Sequence, residues 1–190
     1  MVKKQIRENV MKTRDNLESG VKMKYEKRIT EVLTNSPLYN SAEKIFIFVA
    51  FGSEVSTMEI IEDAFNKGKK VYVPKVYNRE KIMKAIQINS VRDLKPGVFG
   101  ILEPESGKEL IGELDLIIMP GVAFSKSGDR IGYGGGFYDK FLESIGEGVK
   151  KVAIAFSLQV LEKLPQEPFD QKVDYIITEE EVIECKSEGK

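Results

Sequence analysis

Between residues 3 and about 35 the apolar residues recur at close to a helical period. Ile6, Val10, Leu17, Val21, Ile29 and Leu33 stand among Lys, Arg, Glu and Met, with no proline and a single glycine. The pattern predicts one long amphipathic helix, or two shorter ones broken near Ser19-Gly20, ended by Asn35-Ser36-Pro37. The pattern then changes to short apolar runs. Lys44 to Phe51 is rich in branched and aromatic residues and reads as a buried parallel strand. Gly52 to Val55 is a loop, and Ser56-Thr57-Met58-Glu59 has the form of a capping box opening a helix to about Lys67. Strands are predicted over Lys70–Val76 and, with more alternation, over Lys84–Asn89. Residues 90–114 are irregular. Asp115–Met119 is another buried strand, closed by Pro120-Gly121. A helix from about Gly136 to Ser144, a strand over Lys151–Phe156, a helical piece over Leu158–Leu164 and a last short strand over Asp174–Thr178 follow. Strands separated by helices imply βαβ units and a mostly parallel sheet covered on both faces. The 190 residues form one domain, 1–190, with no repeat and no linker.

Composition narrows the chemistry. Lys plus Arg is 29 and Asp plus Glu is 30, so no strongly basic surface is available for nucleic acid. There is no histidine and one cysteine, Cys185. That removes Ser-His-Asp and Cys-His catalysis, His-ligated zinc, Cys-rich zinc sites and intramolecular disulfides. The N-terminal charges have no apolar core behind them, so no signal peptide is expected, and no apolar run approaches the roughly 18 residues of a spanning helix. The expectation is a reduced, cytoplasmic protein. Catalysis, if present, must rest on carboxylates, Lys and Arg, hydroxyls, backbone amides or a hard metal, a set suited to phosphate chemistry.

One segment supplies that set. In Gly128-Asp129-Arg130-Ile131-Gly132-Tyr133-Gly134-Gly135-Gly136-Phe137-Tyr138-Asp139, four glycines fall within the five positions 132–136. Backbone N–H groups in such a turn, followed by a helix N-terminus, make an anion-binding concavity. Arg130 adds a planar charged fork suited to phosphate, and Asp139 is the residue type that holds Mg²⁺. The loop is not a Walker loop, because no Gly-Lys-Ser/Thr follows, and Met119 ends the preceding strand too far upstream for a dinucleotide fingerprint. Open parallel sheets bind ligands at the carboxyl ends of their strands. Phe51–Glu54, Pro120–Tyr138 and Phe156-Ser157 lie at such ends, which raises Glu54 above an ordinary surface carboxylate. Val49 alternates with Phe51 on one strand face and reads as core, whereas Phe51, at the strand end, equally suits a pocket wall. Lys3 and Arg7 are i and i+4 on one helix face and by themselves read as a solvated cationic face. Asp174 by itself reads as a strand-start cap.

The segments Pro120-Gly121-Val122-Ala123-Phe124 and Gly128 to Asp139 closely resemble the signature of the 5-formyltetrahydrofolate cyclo-ligases, also called 5,10-methenyltetrahydrofolate synthetases. Gly97-Val98-Phe99-Gly100-Ile101-Leu102-Glu103-Pro104, Ser53-Glu54-Val55-Ser56-Thr57 and Lys3…Ile6-Arg7 resemble further motifs of that family, and the likeness runs through essentially the whole chain in order. It implies a three-layer α/β/α sandwich related to the sugar-phosphate isomerase and CoA-transferase group. It implies conversion of 5-formyltetrahydrofolate and MgATP to 5,10-methenyltetrahydrofolate, ADP and phosphate. The γ-phosphoryl would pass to the formyl oxygen, and N10 would then attack and expel phosphate. Carried over, Lys3, Arg7 and the loop Arg130, Ile131, Gly132, Tyr133, Gly134, Gly135, Gly136, Phe137 and Tyr138 contact ATP, with Arg130 and Tyr138 catalytic. Asp139 and Asp174 hold Mg²⁺. Glu54 holds the pterin, with Val49, Phe51 and Met58 as pocket walls. Phe137 stands where some members have Tyr. The partner is a small molecule, a folate that can carry a polyglutamate tail, with neither nucleic acid nor membrane. The competing readings are an α/β module binding a sugar phosphate or acyl-CoA without ATP chemistry, and a folate-binding storage or regulatory protein.

Overall fold

In a computed structural model, which describes residues 2–97, 100–145 and 148–185, seven strands form one sheet. Along the chain come α1 (Lys3–Asp15), α2 (Ser19–Thr34), α3 (Pro37–Ser41), β1 (Lys44–Ile47), α4 (Met58–Asn66), β2 (Lys70–Tyr77) and β3 (Ile82–Ile88). Then follow β4 (Leu94–Pro96), β5 (Leu102–Pro104), β6 (Leu116–Met119), β7 (Ala123–Ser125), β8 (Arg130–Ile131), α5 (Phe137–Ser144), β9 (Lys150–Ile154), β10 (Val160–Leu161), β11 (Tyr175–Ile177) and β12 (Val182–Glu184). The main sheet runs β12-β11-β9-β6-β1-β2-β3. Its interior pairs are parallel, with Ile45 opposite both Leu116 and Val71, and Ile118 opposite Val152. Only the edge strands β3 and β12 run antiparallel.

The short apolar runs become strands because every position is covered. Alternate side chains leave the sheet on opposite faces. Ile45, Ile47, Leu116, Ile118, Val152 and Ile154 pack against Ile29 and Leu33 of α2, Tyr39 of α3 and Ile60 and Ile61 of α4. Phe46, Ile117, Met119 and Ala153 face the other way, onto Phe141 and Leu142 of α5 and Phe124 of β7. Helix α1 joins neither cluster. Ile6 and Val10 pack with Val122, Ala123, Ile131 and Leu164 in a third, smaller one. Among the described residues no helix is long and apolar enough to cross a membrane.

Two helices form, as one of the two readings had it, but the break falls at residues 16–18, and Ser19-Gly20, where it was expected, opens α2. Other expectations need correction. The Ser56-x-x-Glu59 capping box does not form: the N-cap of α4 is Thr57, with no side-chain cap, and the Ser56 N–H that Glu59 would accept is taken by another helix. The Thr57 hydroxyl accepts from the Ala50 N–H at 3.1 Å and ties the exit of β1 to the start of α4. The Ser56 N–H donates to Glu26 at 2.9 Å. The helical piece over 158–164 is instead a 3-10 turn at Ser157–Gln159 followed by β10. Gln159 explains it: its carbonyl accepts from Phe156 N–H at 3.0 Å, and its amide donates to the Gly121 and Val122 carbonyls at 3.0 and 3.1 Å. The buried side chain thus holds this segment extended beside β7, with which β10 pairs. β1 ends at Ile47 rather than Phe51. The irregular stretch 90–114 carries the β4–β5 ladder, and Val98 and Phe99 of its family-like motif lie outside the described residues.

Leu33, fully buried between α2 and the sheet, is expected to cost about 2–5 kcal/mol when cut to Ala. Denaturant unfolding checks this through a lowered midpoint at unchanged slope.

Candidate active site

A cleft of about 720 Å³ opens beyond the carboxyl ends of β1 and β6, the position that open parallel sheets favour for ligands. Its floor is Phe48, Val49 and Pro120, and one wall is α1, which presents Lys3, Arg7 and Met11. The glycine loop from Gly132 to Gly136 closes the cationic end, and Pro74, Val76 and Met83 of the β2–β3 pair give the other end an apolar lining.

Arg130 organises the cationic end. Its side chain is 4% exposed and donates to Asp139 Oδ1 at 2.7 Å. Asp139 also accepts from the Gln171 N–H at 3.3 Å. The guanidinium carbon lies 5.8 Å from the centre of the Tyr138 ring, within cation–π range. Among the described residues its Nε is buried with no hydrogen-bond partner, a costly state for a charged donor. Gly132 is required by close approach, since a Cβ there would stand 2.9 Å from Arg130 Nη1. Gly134 has φ +100°, a conformation side chains strain to adopt, and it lies under the Arg7 guanidinium. Arg7 Nε donates to the Gly132 carbonyl at 2.6 Å. Lys3 Nζ pairs with Asp170 at 2.6 Å and Glu167 at 3.3 Å.

Glu54, which also lines the cleft, is 8% exposed. Its Oε2 accepts from the Phe51 N–H at 2.8 Å. Burial raises its pKa above the ordinary carboxylate value. The hydrogen bonds from Phe51 and Tyr133 and the charges of Arg14 and Lys22 offset part of that rise. The phenols of Tyr133 and Tyr138 are pushed up by burial and by the Glu54 charge, so both stay protonated.

The structure brings Lys3, Arg7, Val49, Phe51, Glu54, Asp139 and the whole of Arg130–Tyr138 to one cleft. Val49 thus lines the cleft as well as packing in the core. Met58 and Asp174 are not brought there. Met58 opens α4 and packs half-buried against the core on the helical face. Asp174 accepts from the Lys151 N–H at 2.7 Å, at the amino ends of β9 and β11, on the edge of the sheet remote from the cleft. Residues not anticipated from sequence include Met11, one turn beyond Arg7 on the same helix face, a spacing that signals it. Glu167 and Asp170 lie in a segment without periodicity and give no such signal.

Asp129, at the entry to the glycine loop, is tied to it by side chains. It accepts from Ser125 and Ser127 at 2.7 and 2.8 Å and from Gln166, and pairs with Lys172 at 2.9 Å. Burial alone would raise its pKa, but the bonds from Lys172, Ser125, Gln166 and Ser127 overcome it and hold the pKa at about 2.

Fold and cleft together define a mixed α/β enzyme-like protein, whose cleft is lined by a glycine loop, the cations Lys3, Arg7 and Arg130 and the buried carboxylate Glu54. The 5-formyltetrahydrofolate cyclo-ligase family model matches residues 1–179, and the chain belongs to that family of ring-closing ligases. A 5-formyltetrahydrofolate cyclo-ligase of Haemophilus influenzae is 31% identical over 173 residues, covering 88% of this chain and 92% of its own. The one from Mus musculus is 32% identical over 154 residues, 75% of this chain and 76% of its own. The solved structure of an Aquifex aeolicus 5,10-methenyltetrahydrofolate synthetase superposes with TM-score 0.87 at 30% identity, covering all of this chain and 95% of that one. A Mycoplasma pneumoniae synthetase shares the fold, with TM-score 0.76 at 21% identity over 94% of this chain and 99% of that one.

A carboxylate held at about 2 stabilises the fold fully above its ordinary value near 4 and loses that contribution as pH falls towards 2. Asp129→Asn is therefore expected to lower stability at pH 7 by about 2 kcal/mol and to flatten stability between pH 4 and 2. Thermal melts across that range test it.

Proposed function

We propose that the chain closes 5-formyltetrahydrofolate to 5,10-methenyltetrahydrofolate while converting ATP to ADP and phosphate. The observation that carries this is the shared cleft: Lys3, Arg7, Arg130 and the glycine loop, groups suited to a triphosphate, line one cavity with Glu54, Val49 and Phe51, groups suited to a pterin. Family membership supports the same reaction.

The formyl amide oxygen is a poor leaving group until phosphorylated. Arg130, Arg7, Lys3 and the loop amides gather where charge on the transferring phosphoryl must be met, and positioning plus electrostatics is most of what such a transfer needs. Tyr138, a protonated phenol beside Arg130, is placed to donate to a phosphate oxygen. Glu54, when ionised, accepts from the pterin amino and ring N–H groups, and the Val49 and Phe51 side chains flank it. ATP is used with Mg²⁺. Among the described residues no group of three acidic, cysteine or histidine side chains gathers around an ion position. That fits an ion which takes most of its oxygens from phosphates and water and one or two from carboxylates. We assign Asp139 to it, the carboxylate already beside Arg130, and do not assign Asp174 or Met58 a ligand contact. Asp139 would hold the ion, which would supply neutralisation of phosphate charge beside Arg130. The remaining parts of this reading are a cytoplasmic setting and kinship of the fold with the sugar-phosphate isomerase and CoA-transferase group. The parallel sheet with its cleft at the carboxyl edge supports that kinship.

Mixing the protein with 5-formyltetrahydrofolate and MgATP and following near-ultraviolet absorbance of the methenyl product tests the proposal. An ATP- and Mg²⁺-dependent rise is expected. Folded protein that gives none would point to a phosphate-ligand module instead. In the same assay Arg130→Ala is expected to lower turnover by roughly 100-fold or more with a far smaller change in melting temperature, and wild-type turnover in that variant would remove its role.

The raised pKa of Glu54 sets a pH dependence. Only the ionised form accepts the pterin donors, so folate affinity is expected to weaken as pH falls through that raised value. Glu54→Gln should bind more weakly at neutral pH and lose this acid limb, as read from KM across pH 4.5–8.

A further inference from the structure

We propose that Arg14 is a positioning residue that locks the glycine loop to the Phe51–Glu54 loop through Tyr133 and Ser53, so that the nucleotide and folate halves of the cleft respond to one another; this rests on the functional reading above. Arg14 lies near the end of α1 and is 3% exposed. It does not line the cleft, and so it acts through other residues. Its Nε donates to Ser53 Oγ at 2.9 Å and its Nη2 to the Tyr133 hydroxyl at 2.9 Å, while Nη1 is buried without a partner. Among the described residues it forms no ion pair with a carboxylate. A buried guanidinium ordinarily has one.

The opposite charge it faces is Glu54, and Tyr133 stands between them: its hydroxyl accepts from Arg14 at 2.9 Å, and its phenol and the Glu54 carboxylate are close enough to shift one another's titration. Tyr133 itself sits between Gly132, whose carbonyl is held by Arg7, and Gly134, over which the Arg7 guanidinium lies. Ser53, next to Glu54 in sequence, also donates to Asp15, the residue after Arg14. One helix thus grips the phosphate loop with Arg7 and, two turns later, grips both the phosphate loop and the pterin-side loop with Arg14. Glu54 faces Arg14 and Lys22 from α1 and α2, Tyr133 from the glycine loop and Tyr138 from α5. Of the two polar groups on it that belong to α1 and the glycine loop, each is fixed by the other.

A nucleotide that settles the glycine loop settles the Tyr133 hydroxyl, and with it the carboxylate that receives the pterin. Coupling between binding sites is reciprocal, so folate must tighten nucleotide binding by the same factor. A residue that served packing alone would change stability and leave that factor untouched.

The test is titration of the full chain with a non-hydrolysable ATP analogue, with and without 5-formyltetrahydrofolate, in the wild type, Tyr133→Phe and Arg14→Lys. The wild type is expected to bind the analogue at least about fivefold tighter when folate is present. Tyr133→Phe, which removes one oxygen, and Arg14→Lys, which cannot make both bonds, are each expected to bring that ratio close to one and to raise folate KM more than they lower kcat. A wild-type ratio near one, or a wild-type ratio retained in both folded variants, overturns the proposal. If Arg14→Lys does not fold, Tyr133→Phe decides alone. A wild-type protein that binds the analogue but no folate overturns the functional reading itself, and that result appears before any variant is compared.

Discussion

The interior strands β2, β1, β6, β9 and β11 all run in one direction. A parallel strand cannot be followed by a tight turn to its neighbour; the chain must first travel back along one face. Every segment leaving a carboxyl end is therefore released at the same rim of the sheet. The loop after β1 carries Glu54, and the long excursion after β6 carries Arg130 and the four glycines. Two pieces of chain about 80 residues apart in sequence are brought together by strand direction alone. Because both faces of the sheet are filled by packed side chains, the rim is where space remains.

Charge is then sorted along that rim. The cationic end gathers Lys3, Arg7 and Arg130, and each has a local partner: Asp170 with Glu167, the Gly132 carbonyl, and Asp139 respectively. These partners hold the cations in place while the cleft stands open and keep a concentrated positive patch from repelling itself. Glu54 is treated in the reverse way, since burial discourages its charge while the nearby Arg14 and Lys22 offset only part of that cost.

Much of this was legible in sequence. The runs at 44, 70, 116 and 151 became adjacent parallel strands because branched residues on both strand faces have no alternative but burial. The glycine cluster was legible because φ +100° at Gly134 and the contact of Gly132 with Arg130 leave no room for a side chain. Local hydrogen bonding was not legible. Thr57 bonds back across the loop to Ala50, and Ser56 and Gln159 take partners 30 and 38 residues away, beyond the reach of local pattern. Asp174 was assigned to the ion by likeness to a family, while its bond to Lys151 belongs to the ladder of β9 and β11. Nothing in the sequence singles out Arg14 among the cations of its helix, because its hydroxyl partner Tyr133 lies in a loop more than a hundred residues later.

Helix α1 has a standing unlike the rest of the fold. It carries Lys3, Arg7 and Arg14, yet its apolar residues Ile6 and Val10 rest on the small third cluster rather than on either face of the main sheet. Regions with few buried contacts open locally at a lower free energy than the whole molecule. The helix is thus a clasp: when it lifts while the seven strands stay paired, the cleft loses the Lys3 ammonium and the Arg7 guanidinium at once, and the Arg14 tie between the two loops goes with them. Warming would then silence the enzyme before it melts, and a nucleotide gripped by the clasp would protect activity over a wider range of temperature than it protects the sheet.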